Sequence, residues 1–313
     1  MSAPDAPPAA GAPGAAIGFV GLGVLGSAVA ANIAAAGYAV HGVDPDPQAR
    51  AAAQRAGIVP APDLADAGAQ CPVIFTCLPS AGTLAEVSRA LADAPLPEGG
   101  QVIVEMSTLA VADKEAARDI LAAGGRRALD CPVSGNRIMA LERGLTAFCS
   151  GARDDYSAIR PVLETFCRKT HFVGPFGHGS KTKFCGNILN LVHNTVAAEA
   201  MVLAMKSGLD PEMFHEVISG SGSSSAMFEV RGALMAQNDY AREGMNFSVP
   251  LKDAPIIAEH AARMGVPIPL YQLAVQYYHA ASAQGLAHLD AAAVCRVMER
   301  AAGCERPSDG GDA

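Results

Sequence analysis

Ala16-Ile17-Gly18-Phe19-Val20-Gly21-Leu22-Gly23-Val24-Leu25-Gly26, running on through an alanine-rich Ser27–Ala36 to Tyr38-Ala39-Val40-His41-Gly42-Val43-Asp44, is the stretch that decides the fold. It reads as an apolar strand, a glycine-rich turn, a helix, a second apolar strand and an acid. Each part has a role in holding a dinucleotide. Gly21 permits the tight turn, Gly23 lets backbone approach a pyrophosphate, and Gly26 lets helix and strand pack closely. The pyrophosphate is expected on the amides of Leu22, Val24 and Leu25, at the positive end of the helix. Asp44, eighteen residues past Gly26 by their numbers, stands where a carboxylate binds the ribose 2'-hydroxyl. The same acid would repel a 2'-phosphate, and Pro45, Asp46 and Pro47 follow it rather than an arginine. NAD is therefore expected, with NADP disfavoured and nothing pointing to a flavin.

Composition narrows the rest. At 313 residues the chain has room for about two domains. Half its residues are apolar and 17% charged, which suits a globular fold with a sizeable core. A net charge of -8, 5% aromatics and no Trp argue against a nucleic-acid surface. Eight cysteines form no C-x-x-C pair and sit mostly in apolar runs, so they are read as reduced, cytoplasmic and without zinc. No Asp, Glu, Lys or Arg occurs between Asp5 and Asp44, but Pro13, several glycines and Asn32 interrupt that run. It is read as the dinucleotide unit rather than a membrane span or signal peptide.

The alternation continues after Asp44. Helices are expected over 47–56, 83–91, 111–123 and 154–166. Strands are expected over 72–78, 101–105 and 128–130, with 145–150 and 170–173 as the last two. This predicts a Rossmann-type doubly wound parallel sheet with ligands at the carboxyl ends of its strands. Leu78-Pro79 and Ser107-Thr108 fall at such ends and are candidate cofactor contacts, although Pro79 could equally just stop a strand. From Gly179 the pattern becomes helical, with segments near 211–219, 224–237, 250–264, 267–284 and 289–302. The expected organisation is a disordered leader over 1–14 and an NAD-binding domain over 15–178. An all-helical substrate and oligomerisation domain over 179–305 follows, opened by a long linking helix at about 180–207, and 306–313 is a loose tail.

Three further clusters carry chemistry. Asp130-Cys131-Pro132-Val133-Ser134-Gly135-Asn136-Arg137 follows a strand, and a Ser-Gly turn offers a hydroxyl and free amides to a carboxylate. Gly177-His178-Gly179-Ser180-Lys181-Thr182-Lys183 leads to Gly186-Asn187, so Lys183 and Asn187 share a helix face. Lysine is scarce, six against seventeen arginines. Lys252-Asp253 is the third cluster and taken alone could be a surface ion pair. Together with the glycine turn, and in this order, the clusters resemble the β-hydroxyacid dehydrogenase family over roughly residues 16–300. That family includes 3-hydroxyisobutyrate dehydrogenase, tartronate semialdehyde reductase and relatives of 6-phosphogluconate dehydrogenase.

The resemblance implies a set of roles. Lys183 would be the general acid/base for the substrate hydroxyl, and Asn187 would orient substrate and lysine. Ser134 with the Gly135 and Asn136 amides would hold the substrate carboxylate. Thr108 would approach the nicotinamide and Lys252 would close the site. The implied substrate is a small 3-hydroxy acid or its semialdehyde, and the implied assembly a homodimer or homotetramer. Several residues depart from the family pattern. Asn136 replaces a second glycine, Arg137, Met139 and Arg143 stand where small residues are usual, and Gly186 replaces the first of an Asn pair. Arg137 raises the hypothesis of a substrate with a second acidic group, against the plainer reading of a surface arginine. Competing readings are a keto or imine reductase on the same scaffold, which has little use for Lys183, and a non-catalytic dinucleotide-binding module. A short-chain dehydrogenase lacks support because no Tyr-x-x-x-Lys is present.

Overall fold

The computed structural model describes residues 14–241 and 244–306. The expected leader up to residue 13 and the expected tail from 307 lie outside that range. Two residues assigned to those ends are held in place. The Gly14 amide donates to the Gly37 carbonyl at 2.8 Å. Arg306 donates to Glu299 Oε1 from Nε at 3.0 Å and to the Met235 carbonyl from Nη2 at 2.6 Å. The chain divides into two compact units, one ending at Lys183 and one beginning at Phe184. The break falls inside a helix rather than before it.

The first unit alternates strands and helices. They are β1 (Ala16–Val20), α1 (Val24–Ala35), β2 (Ala39–Val43), α2 (Pro47–Arg55), β3 (Val59–Pro60) and α3 (Leu64–Gln70), then β4 (Val73–Thr76), α4 (Ala81–Asp93), β5 (Val102–Glu105), α5 (Val111–Ala123) and β6 (Arg127–Asp130). All pair in parallel in the order β3-β2-β1-β4-β5-β6. The central strands are apolar on both faces because helices cover both. Ile17, Phe19, Val73 and Phe75 are fully buried, each such side chain contributing about 2 kcal/mol. Phe19 stacks on Phe75 and Phe166 meets that ring edge-on, both at 6.0 Å. The order reverses between β1 and β4, the switch point where such sheets bind ligands.

Beyond β6 the sheet does not continue as expected. β7 (Val133–Ser134), α6 (Arg137–Leu141), β8 (Leu145–Cys149), α7 (Arg153–Leu163) and β9 (Cys167–Phe172) follow. The strands form a separate sheet, β7-β8-β9, with β7 antiparallel and β9 parallel to β8. Pro132 has no amide to continue a ladder, so the chain turns there and β7 pairs back against β8. An isolated antiparallel bridge, Asp130 to Ser150, joins the two sheets.

The second unit is helical. α8 (His178–Lys206) is followed by α9 (Pro211–Ile218), a π-helical turn (Phe228–Gly232), α10 (Ala233–Gln237), α11 (Ser248–Arg263), α12 (Pro269–Ala283), a short 3-10 turn (Ala291–Ala293) and α13 (Val294–Ala302). The helices expected over 224–237 and 289–302 are thus present without a break, the first carrying a π-helical turn before α10 and the second opening in a 3-10 turn before α13. α8 is long and apolar enough to cross a membrane by composition. Its Asn194, however, is fully buried and donates to Tyr278 Oη at 2.7 Å and to the Ala291 carbonyl at 3.0 Å. Those bonds tie it to α12 and the 3-10 turn, as in the core helix of a domain.

Candidate active site

The glycine turn is built as its chemistry requires. Gly21 has φ +94°, and a Cβ there would lie 2.2 Å from the Cys77 carbonyl oxygen. A Cβ on Gly26 would lie 2.0 Å from the Gly21 carbonyl oxygen, whereas one on Gly23 meets nothing within 4 Å. Gly21 and Gly26 are therefore fixed by packing, and Gly23 opens onto free space. α1 has no side-chain N-cap and no acid in its first turn, so its leading amides remain available to an anion. Leu22 is buried and Leu25 half-buried, while Val24 is exposed. The Leu22 amide donates to Asp44 Oδ2 at 2.7 Å and the Asp46 amide to Oδ1 at 2.8 Å, which anchors that carboxylate at the end of β2. Arg50, not foreseen here, donates from Nη1 to the Asp44 carbonyl at 2.6 Å and the Pro45 carbonyl at 3.0 Å. Uncapped amides, an open face at Gly23 and an anchored acid fit a dinucleotide.

Leu78-Pro79 and Ser107-Thr108 lie just past the carboxyl ends of adjacent β4 and β5. The Leu78 amide donates to Ser107 Oγ at 2.7 Å, which joins the two loops. Pro79 is exposed and three residues beyond β4, so it does not itself stop that strand; it precedes Ser80, whose side chain caps α4. Thr108 is half-buried.

Ser134 ends β7. Gly135 has φ +132°, and a Cβ there would lie 2.5 Å from Leu145 Cδ2, so the turn requires glycine. The Asn136 side chain acts locally, its Oδ1 accepting the Met139 amide at 3.0 Å and so capping α6. The asparagine thus serves as the N-cap of that helix. Arg137 opens that helix half-buried, and Asn32 of α1 donates to the Ala140 carbonyl at 2.6 Å, joining the cofactor helix to α6. Arg143, two residues past the end of α6, has φ +56°, a left-handed conformation that favours glycine.

The start of α8 is pinned from outside the helix. Gly177 has φ +88°, and a Cβ on Gly179 would lie 2.3 Å from the Phe148 carbonyl oxygen and 2.7 Å from that of Asp130. This close approach lets the Gly179 amide donate to Ser150 Oγ at 2.9 Å and the Ser180 amide to Asp130 Oδ2 at 2.8 Å. Lys183 lies one turn further, half-buried. Within the second unit, Asn187 Nδ2 donates to Asp253 Oδ2 at 3.0 Å, and Asp253 Oδ1 lies 3.3 Å from Lys252 Nζ. The Lys252-Asp253 pair is real, but its aspartate is buried and holds Asn187, a partnership no sequence spacing indicates. Asp130, Ser150 and Ser180 likewise emerge from the fold. Among the described residues no group of three His, Cys, Asp or Glu is arranged to hold a metal.

Two family models divide the chain. Residues 16–174 match the NAD binding domain of 6-phosphogluconate dehydrogenase, and residues 177–298 match the NAD-binding domain of NADP-dependent 3-hydroxyisobutyrate dehydrogenase. The chain belongs to the β-hydroxyacid dehydrogenase family. Within that family it is 32% identical to the L-threonate dehydrogenase of Cupriavidus necator, over 90% of this chain and 95% of that protein. It is 30% identical to the 2-(hydroxymethyl)glutarate dehydrogenase of Eubacterium barkeri, over 92% and 96%. The solved 3-hydroxyisobutyrate dehydrogenase of Mycobacterium tuberculosis with L-serine superposes with TM-score 0.83 at 28% identity, over 91% of this chain and 99% of that one. A β-hydroxyacid dehydrogenase is an NAD(P)-binding oxidoreductase acting on CH-OH groups, and that places the enzyme class.

Proposed function

We propose that this enzyme oxidises a small 3-hydroxy acid, or reduces the matching semialdehyde, with NAD and with Lys183 as general acid/base. The observation carrying this is the seating of α8: Asp130 and Ser150 fix its first turn at the end of β6, one turn before Lys183. Bound NAD supplies the hydride acceptor. Gly23, Val24 and Leu25 would hold its pyrophosphate, and Asp44 would accept from the ribose diol and disfavour a 2'-phosphate. Leu78, Pro79 and Thr108 would border the nicotinamide, and Lys252 is assigned as a further cofactor contact. Lys183 Nζ takes the substrate hydroxyl proton, and Asn187 orients that hydroxyl. Ser134 Oγ and the Gly135 and Asn136 amides bind the carboxylate, and Arg137 offers a second cation. The diacid named for the Eubacterium barkeri relative is the kind of substrate that cation suits.

A homodimer or homotetramer in a reducing, cytoplasmic setting completes the proposal. Leu189, Val196 and Leu203, seven residues apart along α8, are 56%, 51% and 68% exposed in one chain, and all eight cysteines are free. The test is reduction of NAD and of NADP with L-threonate, 3-hydroxyisobutyrate, 2-(hydroxymethyl)glutarate and L-serine. Lys183→Ala is expected to lower kcat about 10³-fold with NAD binding retained, and Arg137→Ala to raise KM for diacids alone. Unchanged turnover in Lys183→Ala sinks the base assignment; a preference for NADP sinks the reading of Asp44.

A further inference from the structure

Lys114 has no part in the chemistry just described, yet its side chain is 0% exposed. In the sequence it stands between Asp113 and Glu115. In the fold its Nζ lies 2.9 Å from Asp130 Oδ1 and 3.7 Å from Glu105 Oε1. Burial works against its charge, but Asp130 and then Glu105 outweigh it and hold its pKa above the ordinary lysine value.

Each of these carboxylates reaches a different wall of the site. Asp130 Oδ1 accepts from Lys114 Nζ and from Ser180 Oγ at 2.8 Å. Its Oδ2 accepts from the Ser180 amide at 2.8 Å and from Ser150 Oγ at 3.2 Å. Glu105 Oε1 accepts from the Ser107 amide at 2.7 Å and Oε2 from Thr76 Oγ1. Ser107 Oγ in turn accepts the Leu78 amide at 2.7 Å. Without a cation between them, two buried carboxylates would leave charge uncompensated in the interior. Lys114 supplies that cation, and its bond to Oδ1 orients the Asp130 carboxylate toward the first turn of α8.

We propose that Lys114 is a positioning residue for the reaction. Its ammonium bridges Asp130 and Glu105, and that bridge fixes the turn leading to Lys183 against the loops that carry Leu78 and Thr108. The proposal rests on the reading of Lys183 as the base. It predicts a loss in kcat rather than in cofactor affinity, because misplacing the base leaves the glycine turn intact.

The test is steady-state kinetics, NAD titration and thermal melting of Lys114→Met, Lys114→Arg, Ser180→Ala, the double variant Lys114→Met with Ser180→Ala, and Lys183→Ala. Ser180→Ala removes the hydroxyl bond to Asp130 Oδ1, leaving the amide bond to Oδ2, and strands no buried charge, so it folds even where Lys114→Met does not. The expected result is about a tenfold or greater fall in kcat for Lys114→Met and Ser180→Ala, with KM for NAD within about twofold. Lys114→Arg restores part of it, and the two losses combine to less than their product because both act through Asp130. Full kcat in Ser180→Ala beside an inactive Lys183→Ala overturns the positioning role alone. So do losses that simply multiply, or a lowered melting temperature with kcat unchanged. Turnover retained in Lys183→Ala overturns both this role and the base assignment.

Discussion

The glycines of a single turn do different jobs, and the difference is measurable. Gly26 has a backbone oxygen 2.0 Å from where a Cβ would go, while Gly23 has nothing within 4 Å. Gly26→Ala must push α1 off β1 and is expected to cost about 2–3 kcal/mol, read as a lowered urea midpoint. Gly23→Ala is expected to melt like the parent, since its methyl points into free space. That methyl occupies the volume a pyrophosphate would use, so NAD affinity should fall at least about tenfold by fluorescence titration. Equal melting of the two variants would refute the division between packing and binding. Both glycines are legible in the sequence as a motif. Which one packs and which one stays open is decided by the Gly21 carbonyl, which lies where a Cβ on Gly26 would go.

At the scale of the element, α8 shows how a helix start becomes part of a site. Its leading amides bond to Ser150 and Asp130 rather than to a cap of its own, and Gly179 makes that approach possible. Gly179→Ala would place a methyl 2.3 Å from the Phe148 carbonyl oxygen, displacing the turn before Lys183. It is expected to lower both turnover and melting temperature. Gly186, in the same helix with nothing within 4 Å of where a methyl would go, is the control. Gly186→Ala should stabilise the helix by about 0.5–1 kcal/mol through backbone entropy. A gain at Gly179 or a loss of fold at Gly186 would contradict this account of α8. The sequence places the helix to within a few residues from its period, and the motif Gly177-x-Gly179 marks its start. That Asp130 is the acceptor, fifty residues earlier, is not written in any local pattern.

Across the whole molecule, buried thiols set an alkaline limit. Burial pushes Cys71, Cys167 and Cys295 up from 9.0 to about 12, and Cys131 rises well above 9.0 through its contact with Cys149 and burial. In the unfolded chain these thiols ionise near 9, so between that pH and about 12 the native state binds the extra protons. Stability is therefore whole below pH 9 and falls above it, by about 1.4 kcal/mol per pH unit for each such thiol. Urea unfolding at pH 8 and pH 10.5 should show a steep loss that Cys71→Ala lessens; a flat profile would refute it. The sequence by itself determined much of this protein: the nucleotide unit from Ala16 to Asp44, the change from alternating strands to helices, and the residue types of the Ser134-Gly135 turn and the Lys183 face. Those signals are local, carried by period, glycine spacing and chain order. The tertiary structure alone decided that β7, β8 and β9 leave the main sheet, that Asn136 caps α6, that Asp253 holds Asn187, and that Lys114 lies buried between two carboxylates. Each of these depends on which distant backbone or charge a side chain meets, and no spacing along one chain encodes that.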